Sequence, residues 1–307
     1  MTRRTGSRAR KPTNFFDEMQ TDSAAKAMRG VHERVTITTG TGKRCASINV
    51  RTLAMKGDRH RKEACGQQTA GAVEWVLEFE TRGLGIIGLQ ECRIPSGMDG
   101  TEGEYRTFYS GNVKGKRQHG VGLYMHNRVT SGEFEIQPVN ERIIWVDQAV
   151  FSVYAPTNKK DNVAEVDKFY STLEKQVNEV RTKFGPETKI IILGDFNARV
   201  GTDGADNMTE ERNEADEVCA NGEETDDNGA ELITFCVSKQ FKVMDSYFAG
   251  EYGTWACNRS IDKGYHTALD HILESKELWG EVAACGVHIP TVRWNMDHRM
   301  VELDMGP

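Results

Sequence analysis

Several features are missing from this 307-residue sequence, and each absence removes a class of protein. No apolar run is long enough to span a bilayer, and no apolar segment typical of a secretory signal follows the start, so neither a membrane helix nor export by that route is expected. The seven cysteines (Cys45, Cys65, Cys92, Cys219, Cys236, Cys257, Cys285) include no Cys-x-x-Cys pair. An odd, scattered set is poor for a zinc site or a disulfide framework and fits free thiols in a reducing compartment. Cys92 stands beside Glu91 but has no matched base, so it reads as packing. Internal repeats, low-complexity tracts and EF-hand spacing are also lacking, and the acidic stretch from Gly201 to Asp227 reads as a long surface loop rather than a calcium site. Positive charge is not in excess either: the net charge of −7 gives a soluble surface and weighs against general affinity for polyanions.

The length fits one large α/β domain, residues 45–307, after a tail, 1–44, that lacks sustained periodicity. The tail is basic at its start (Arg3, Arg4, Arg8, Arg10, Lys11). It reads as a solvated disordered segment, with a nuclear signal, a nucleic-acid arm or part of a transit peptide as alternatives. The expected location is intracellular, nuclear in a eukaryote, and the expected state is a monomer.

The most informative stretch is Lys189-Ile190-Ile191-Ile192-Leu193-Gly194-Asp195-Phe196-Asn197. Four consecutive large apolar residues predict a strand buried on both faces, since a half-exposed strand alternates. Gly194 then permits an unusual backbone angle or a close approach, and Asp195 and Asn197 can bind a water, a phosphate or a metal. The same grammar recurs around Asn49, Glu91, Tyr154, Asp270 and the Asp297-His298 pair, the last after a strand predicted at Val292-Arg293-Trp294. Six strands each carrying a polar side chain near one end predict a shared rim. Helices are predicted over Gln68–Glu80, packed through Val73, Val76 and Leu77, and from Val163 to Phe184, where Gly185-Pro186 stops the chain. A third helical stretch runs from Asn228 to Cys236. By alternation His271 falls on the face opposite Asp270 and reads as structural.

Oxygen ligands without cysteine suit Mg²⁺ or Mn²⁺, with Glu91 as the best ligand helped by Asn49. His298 paired with Asp270 would stay cationic near neutral pH and grip a phosphate. Asp195 would orient or deprotonate water with Asn197 fixing it, and Tyr154 would donate to phosphoryl oxygens. The basic residues Lys114, Lys116 and Arg117 in a glycine-punctuated loop, with Lys159 and Lys160, are candidates for touching phosphates.

In order, Ile48-Asn49-Val50-Arg51-Thr52-Leu53, Gly88-Leu89-Gln90-Glu91, Val153-Tyr154-Ala155-Pro156-Thr157, Gly194-Asp195-Phe196-Asn197, Thr254-Trp255, Leu269-Asp270-His271-Ile272-Leu273 and Asp297-His298 resemble the motifs of the endonuclease/exonuclease/phosphatase superfamily. Within it the chain looks most like the endonuclease domains of LINE-type retrotransposons and craniofacial development protein 2-like proteins, from about Cys45 to Val301. The resemblance implies a DNase I-like α/β fold, a four-layer sandwich of two mostly antiparallel sheets with helices outside, and Mg²⁺-dependent cleavage of a phosphodiester. It implies that Glu91, Asn49 and Asp297 serve the metal, that Tyr154 and Asn197 contact phosphate, that Asp195 moves a proton, that Asp270 pairs with His298, and that Thr254 lies at the substrate. Met296 stands where the family usually has serine, and His271 where it has tyrosine.

A DNA endonuclease that nicks duplex DNA is the leading expectation. The same chemistry on RNA, a phospholipid or an inositol phosphate is the second, because specificity lies in surface loops. A nucleic-acid-binding remnant without catalysis is the third. No reverse-transcriptase signature is present, and the chain stops soon after Asp297-His298, so it is expected to be either a fragment or a free-standing endonuclease.

Overall fold

In the computed structural model, Ile190, Ile192 and Phe196 point into one apolar interior, while Ile191 and Leu193 point into another. That double burial is what an uninterrupted apolar strand requires, and it shows the strand lying between a sheet and a layer of helices. The structure describes residues 44–53, 71–97, 99–113, 119–130, 134–146, 149–201, 224–248, 254–256, 266–292 and 297–306. The chain divides into Met1–Arg34 and Val35–Pro307, and all described residues belong to the second unit.

Fifteen strands are described. They are β1 (Arg44–Asn49), β2 (Ile86–Gln90), β3 (Gly100–Glu102), β4 (Tyr105–Ser110), β5 (Val121–His126), β6 (Ile136–Asn140), β7 (Ile143–Val146) and β8 (Val150–Tyr154) in the first half. β9 (Ile191–Asp195), β10 (Phe241–Val243), β11 (Trp255–Ala256), β12 (His266–Thr267), β13 (Asp270–Ser275), β14 (Ala284–His288) and β15 (Met300–Asp304) follow. Three α-helices are described: α1 (Ala72–Thr81), α2 (Val163–Phe184) and α3 (Asp227–Lys239).

One sheet has the order β14-β15-β1-β2-β5-β4-β3 and the other β10-β13-β9-β8-β7-β6. Each contains a single parallel pair, β1 with β2 and β8 with β9; every other pairing is antiparallel. Apolar side chains from both sheets, including Ile86, Leu123, Ile144, Ile191, Ile272 and Val301, fill the space between them. α1 covers the outer face of the first sheet, and α2 and α3 cover the outer face of the second. The four-layer sandwich expected from the motifs is therefore the observed architecture.

The two sheets approach closely at Gly88, where an added Cβ would lie 2.6 Å from Leu193 Cβ. Gly194 serves close packing too, since a Cβ there would meet Val153 Cγ2 at 2.4 Å. α2 ends where expected: Gly185, at φ 108°, adopts a backbone that other residues resist, and its N–H donates to Arg181 O.

Four predictions change. The face of α1 turned to the sheet is Trp75, Val76 and Phe79, whereas Val73 and Leu77 are 64% and 59% exposed, because the tryptophan and phenylalanine bury more area than the aliphatic pair. Asp226 belongs not to the acidic loop but to the cap of α3, where its side chain accepts from Gly229 N at 2.8 Å. The remainder of that loop, 202–223, lies outside the described residues, as do the basic tail, Lys114, Lys116, Arg117, and residues 293–296 with Met296. Asp270 begins its strand instead of closing one, and the strand beside His298 is β15, which follows it.

Candidate active site

β1 and β2 run parallel, as do β8 and β9, so within each pair the C-terminal ends lie at one edge. β13 runs antiparallel to β9 and β15 antiparallel to β1, which brings their starts to those ends: Asp270 pairs with Asp195 in register. Four strand ends and two strand starts thus form one rim. Side chains on the face shared with Ile191, Leu193, Tyr154 and Ile272 point into the mouth of the intersheet core. Asn49, Tyr154, Asp195 and Asp270 have that parity.

Glu91 does not: alternation places it on the side of Leu89, toward α1. Its backbone is left-handed, φ 52°, and this turns the carboxylate inward. Asn49 Nδ2 donates to Asp195 Oδ2 at 2.9 Å and to Glu91 Oε1 at 3.3 Å, and the Tyr154 hydroxyl donates to Glu91 Oε1 at 2.9 Å. Arg93 Nη2 donates to Glu91 Oε2 at 2.9 Å. Burial pushes the Glu91 carboxyl up, but Arg93, Tyr154 and Asn49 together hold it below its ordinary value, so it is an anion. Burial and the Glu91 charge push the Tyr154 phenol far up, so it stays protonated and donates to the Glu91 carboxylate.

Asp195 is fully buried, and burial with the neighbouring Asp270 charge raises it to about 7. Its Oδ1 accepts from Asn197 N at 3.0 Å; Asn197, also left-handed at φ 46°, sends its side-chain amide to Ala155 O at 3.0 Å. The link expected between Asn197 and Asp195 thus runs through the backbone. His298 Nδ1 lies 2.8 Å from Asp270 Oδ2. Burial disfavours the imidazolium, but Asp270, then Asp195 and Asp297, outweigh it and raise His298 to about 10.

Asp297 pairs with Arg51, Nε to Oδ1 3.4 Å, and is not hydrogen-bonded to Glu91 or Asn49. Thr254 is fully buried, and its hydroxyl accepts from Leu269 N at 2.9 Å and Asp270 N at 3.0 Å. It supports the start of β13 from beneath. Lys159 is exposed beside the short turn Lys160–Asn162, outside this network. Sequence reading missed Arg93 and Arg142: Arg142 stacks over the Tyr154 ring at 5.4 Å and donates to Tyr154 O at 3.2 Å. A signal existed for Arg93. It follows Glu91 by two residues as Arg51 follows Asn49, and both arginines are left-handed, at φ 58° and 57°.

His271 is turned the other way. Nδ1 lies 2.8 Å from Asp245 Oδ2 and Nε2 lies 2.9 Å from Ala198 O, so both nitrogens face acceptors and both carry protons. It joins β13 to the helix side of the sheet.

These residues fit a hard divalent cation at two adjacent places. Asp195, Asp270 and His298 offer ligand atoms within 4.8 Å of one another, and Asp270 Oδ1 is buried with no hydrogen-bond partner, an orphaned charge-bearing oxygen that a cation would satisfy. Glu91 with Asn49 is the second place and the one expected from the sequence.

No protein-family model matches this chain, and no curated protein sequence does. Solved structures do match. The endonuclease domain of TRAS1, a telomere-specific non-LTR retrotransposon, aligns at 16% identity with a TM-score of 0.50, over 85% of this chain and 97% of that one. The AP endonuclease LMAP from Leishmania major aligns at 15% identity and TM-score 0.62, over 86% and 87%. The 3′-5′ exonuclease NExo from Neisseria meningitidis aligns at 16% and 0.57, over 86% and 100%. At such identities the likeness establishes the fold alone.

Proposed function

We propose that this chain is a divalent-metal-dependent nuclease that nicks double-stranded DNA, and that it derives from a LINE-type retroelement. One observation carries the reading: Asn49, Glu91, Tyr154, Asp195, Asp270 and His298 come from six separate strand ends and starts, yet they meet in one hydrogen-bonded rim. The fold shared with two endonucleases and an exonuclease supports it, as do the ordered motifs.

Glu91 and Asn49 would hold Mg²⁺ or Mn²⁺, with the Asp195 and Asp270 oxygens adjacent. When bound, the ion supplies neutralisation of charge on a phosphate oxygen. His298, cationic and held in one orientation by Asp270, donates from Nε2 to a phosphoryl oxygen. Asp195, raised to about 7, takes a proton from water, and the Asn49 and Asn197 N–H groups fix its carboxylate. Arg51, Arg93 and Arg142 lie about the mouth, where they offset part of the negative charge of its carboxylates.

The test is purified full chain with supercoiled plasmid, in Mg²⁺ or in chelator, beside Asp195→Ala and His298→Ala. The reading requires nicking that depends on metal and on both side chains. Hydrolysis of RNA or a small diester with plasmid left intact would transfer the chemistry to another substrate. DNA binding without any cleavage would leave a binding remnant.

A further inference from the structure

We propose that Arg93 is a resident counter-ion of Glu91 which a divalent cation must displace, so that metal occupancy is set by competition with the chain's own guanidinium. The inference rests on the metal reading above. Glu91 Oε1 already accepts from Asn49 and Tyr154, while Oε2 accepts from Arg93. An ion taking Oε2 therefore meets Arg93 first.

The contact is built in from the backbone. Glu91 and Arg93 are both left-handed, at φ 52° and 58°, a conformation that non-glycine residues adopt at a cost. The backbone between them is pinned, Cys92 N to Gly120 O at 2.9 Å and Arg93 N to His119 O at 3.1 Å. Both side chains are thereby turned toward the same opening.

The guanidinium is nonetheless weakly anchored. Arg82 shows what a structural arginine does in this protein: Nε binds Glu78 Oε1 at 2.6 Å and Nη1 binds Glu302 Oε1 at 2.7 Å. Arg93 holds Glu91 through Nη2, and its Nε is buried without an acceptor. Side chains of the pair are 17% and 19% exposed, so the bond can open to water. A guanidinium released from Glu91 carries unused donors arranged as a planar fork, which suits the oxygens of an incoming phosphate.

The experiment is calorimetric titration of the full chain with Mn²⁺, without substrate, for wild type, Glu91→Gln, Arg93→Gln and Arg93→Lys, with thermal unfolding of each in chelator and in Mn²⁺. Arg93→Gln should bind Mn²⁺ roughly three- to tenfold more tightly, the range expected for a charged pair at the edge of solvent. Arg93→Lys should fall between it and wild type, and Mn²⁺ should raise the melting temperature of Arg93→Gln more than that of wild type. Unchanged or weaker Mn²⁺ affinity in both Arg93 variants, with Glu91→Gln clearly weakened, overturns the displacement while leaving the metal site standing. If Glu91→Gln binds Mn²⁺ as wild type does, the metal reading at Glu91 fails, and this inference with it.

Discussion

His298 and Asp270 form a buried ion pair, Nδ1 to Oδ2 2.8 Å, beside a second carboxyl, Asp195, whose affinity for protons is raised. The two functional groups separate in pH: Asp195 is ionised above about 7 and His298 is charged below about 10. If the first acts as base and the second as cation, the nicking rate rises through neutrality and falls as pH approaches 10. Asp195→Asn should abolish the rising limb, and Asp270→Asn should lower the rate on the order of 10²–10³-fold and move the falling limb to lower pH. A rate that does not vary between pH 6 and 8 in wild type would exclude Asp195 as the base. Added divalent ion favours the ionised carboxylate, so the rising limb should shift to lower pH as metal concentration increases.

Thr254→Val keeps shape but removes the acceptor of two backbone amides at the start of β13. The expected cost is about 1–3 kcal/mol in urea unfolding, with a slower nicking rate and DNA affinity little changed, since Asp270 would be displaced while the mouth stays open. Lost DNA affinity at full turnover would instead mark Thr254 as a substrate contact.

His271 is raised to about 9 because the Asp245 charge and hydrogen bond, with Ala198 O, outweigh burial, which lowers it. Its folded value lies above the ordinary 6.5, so its contribution to stability is complete below 6.5 and is lost as pH rises through 9. His271→Ala leaves Asp245 buried without its cation and should cost about 3–5 kcal/mol at pH 6, with a smaller deficit at pH 9.5. Equal deficits at the two pH values, read by denaturant unfolding, would show that the imidazole is neutral.

Glu274 is fully buried on the intersheet face, and neither carboxyl oxygen has a hydrogen-bond partner. Burial, with Glu281, raises it to about 8. The folded state therefore holds this proton more firmly than the unfolded chain, and stability falls as pH rises from 4.5 to 8. Glu274→Gln removes that loss, so its stability relative to wild type should grow by about 1–4 kcal/mol between pH 5 and 8. A gap between the two unfolding curves that stays constant with pH would contradict this.

Strand identity was legible where apolar runs were unbroken, as at Ile190 to Leu193, and helix α2 was legible to its last residue because Gly185-Pro186 leaves the helix no continuation. Less legible was direction. A polar residue beside a strand looks the same whether it ends or begins it, so Asp270 was placed on the wrong side of its strand although it reaches the right rim. Chemistry that depends on the +2 residue was also hidden: alternation predicts which face a side chain takes only while the backbone stays extended, and Arg51, Glu91, Arg93 and Asn197 all leave it. Thr254 was read from its motif, and a motif does not show the two backbone amides of β13 that its hydroxyl holds.

Asn49 and Glu91 belong to one sheet and Asp195 and Tyr154 to the other, so the hydrogen bonds Asn49–Asp195 and Tyr154–Glu91 are rivets across the sandwich. Shear of one slab over the other by an ångström stretches both at once. Breathing of the whole body and misalignment at its mouth are thereby the same motion, and a void opened among the side chains between the slabs, far from any reacting atom, should register as slower turnover before it registers as unfolding.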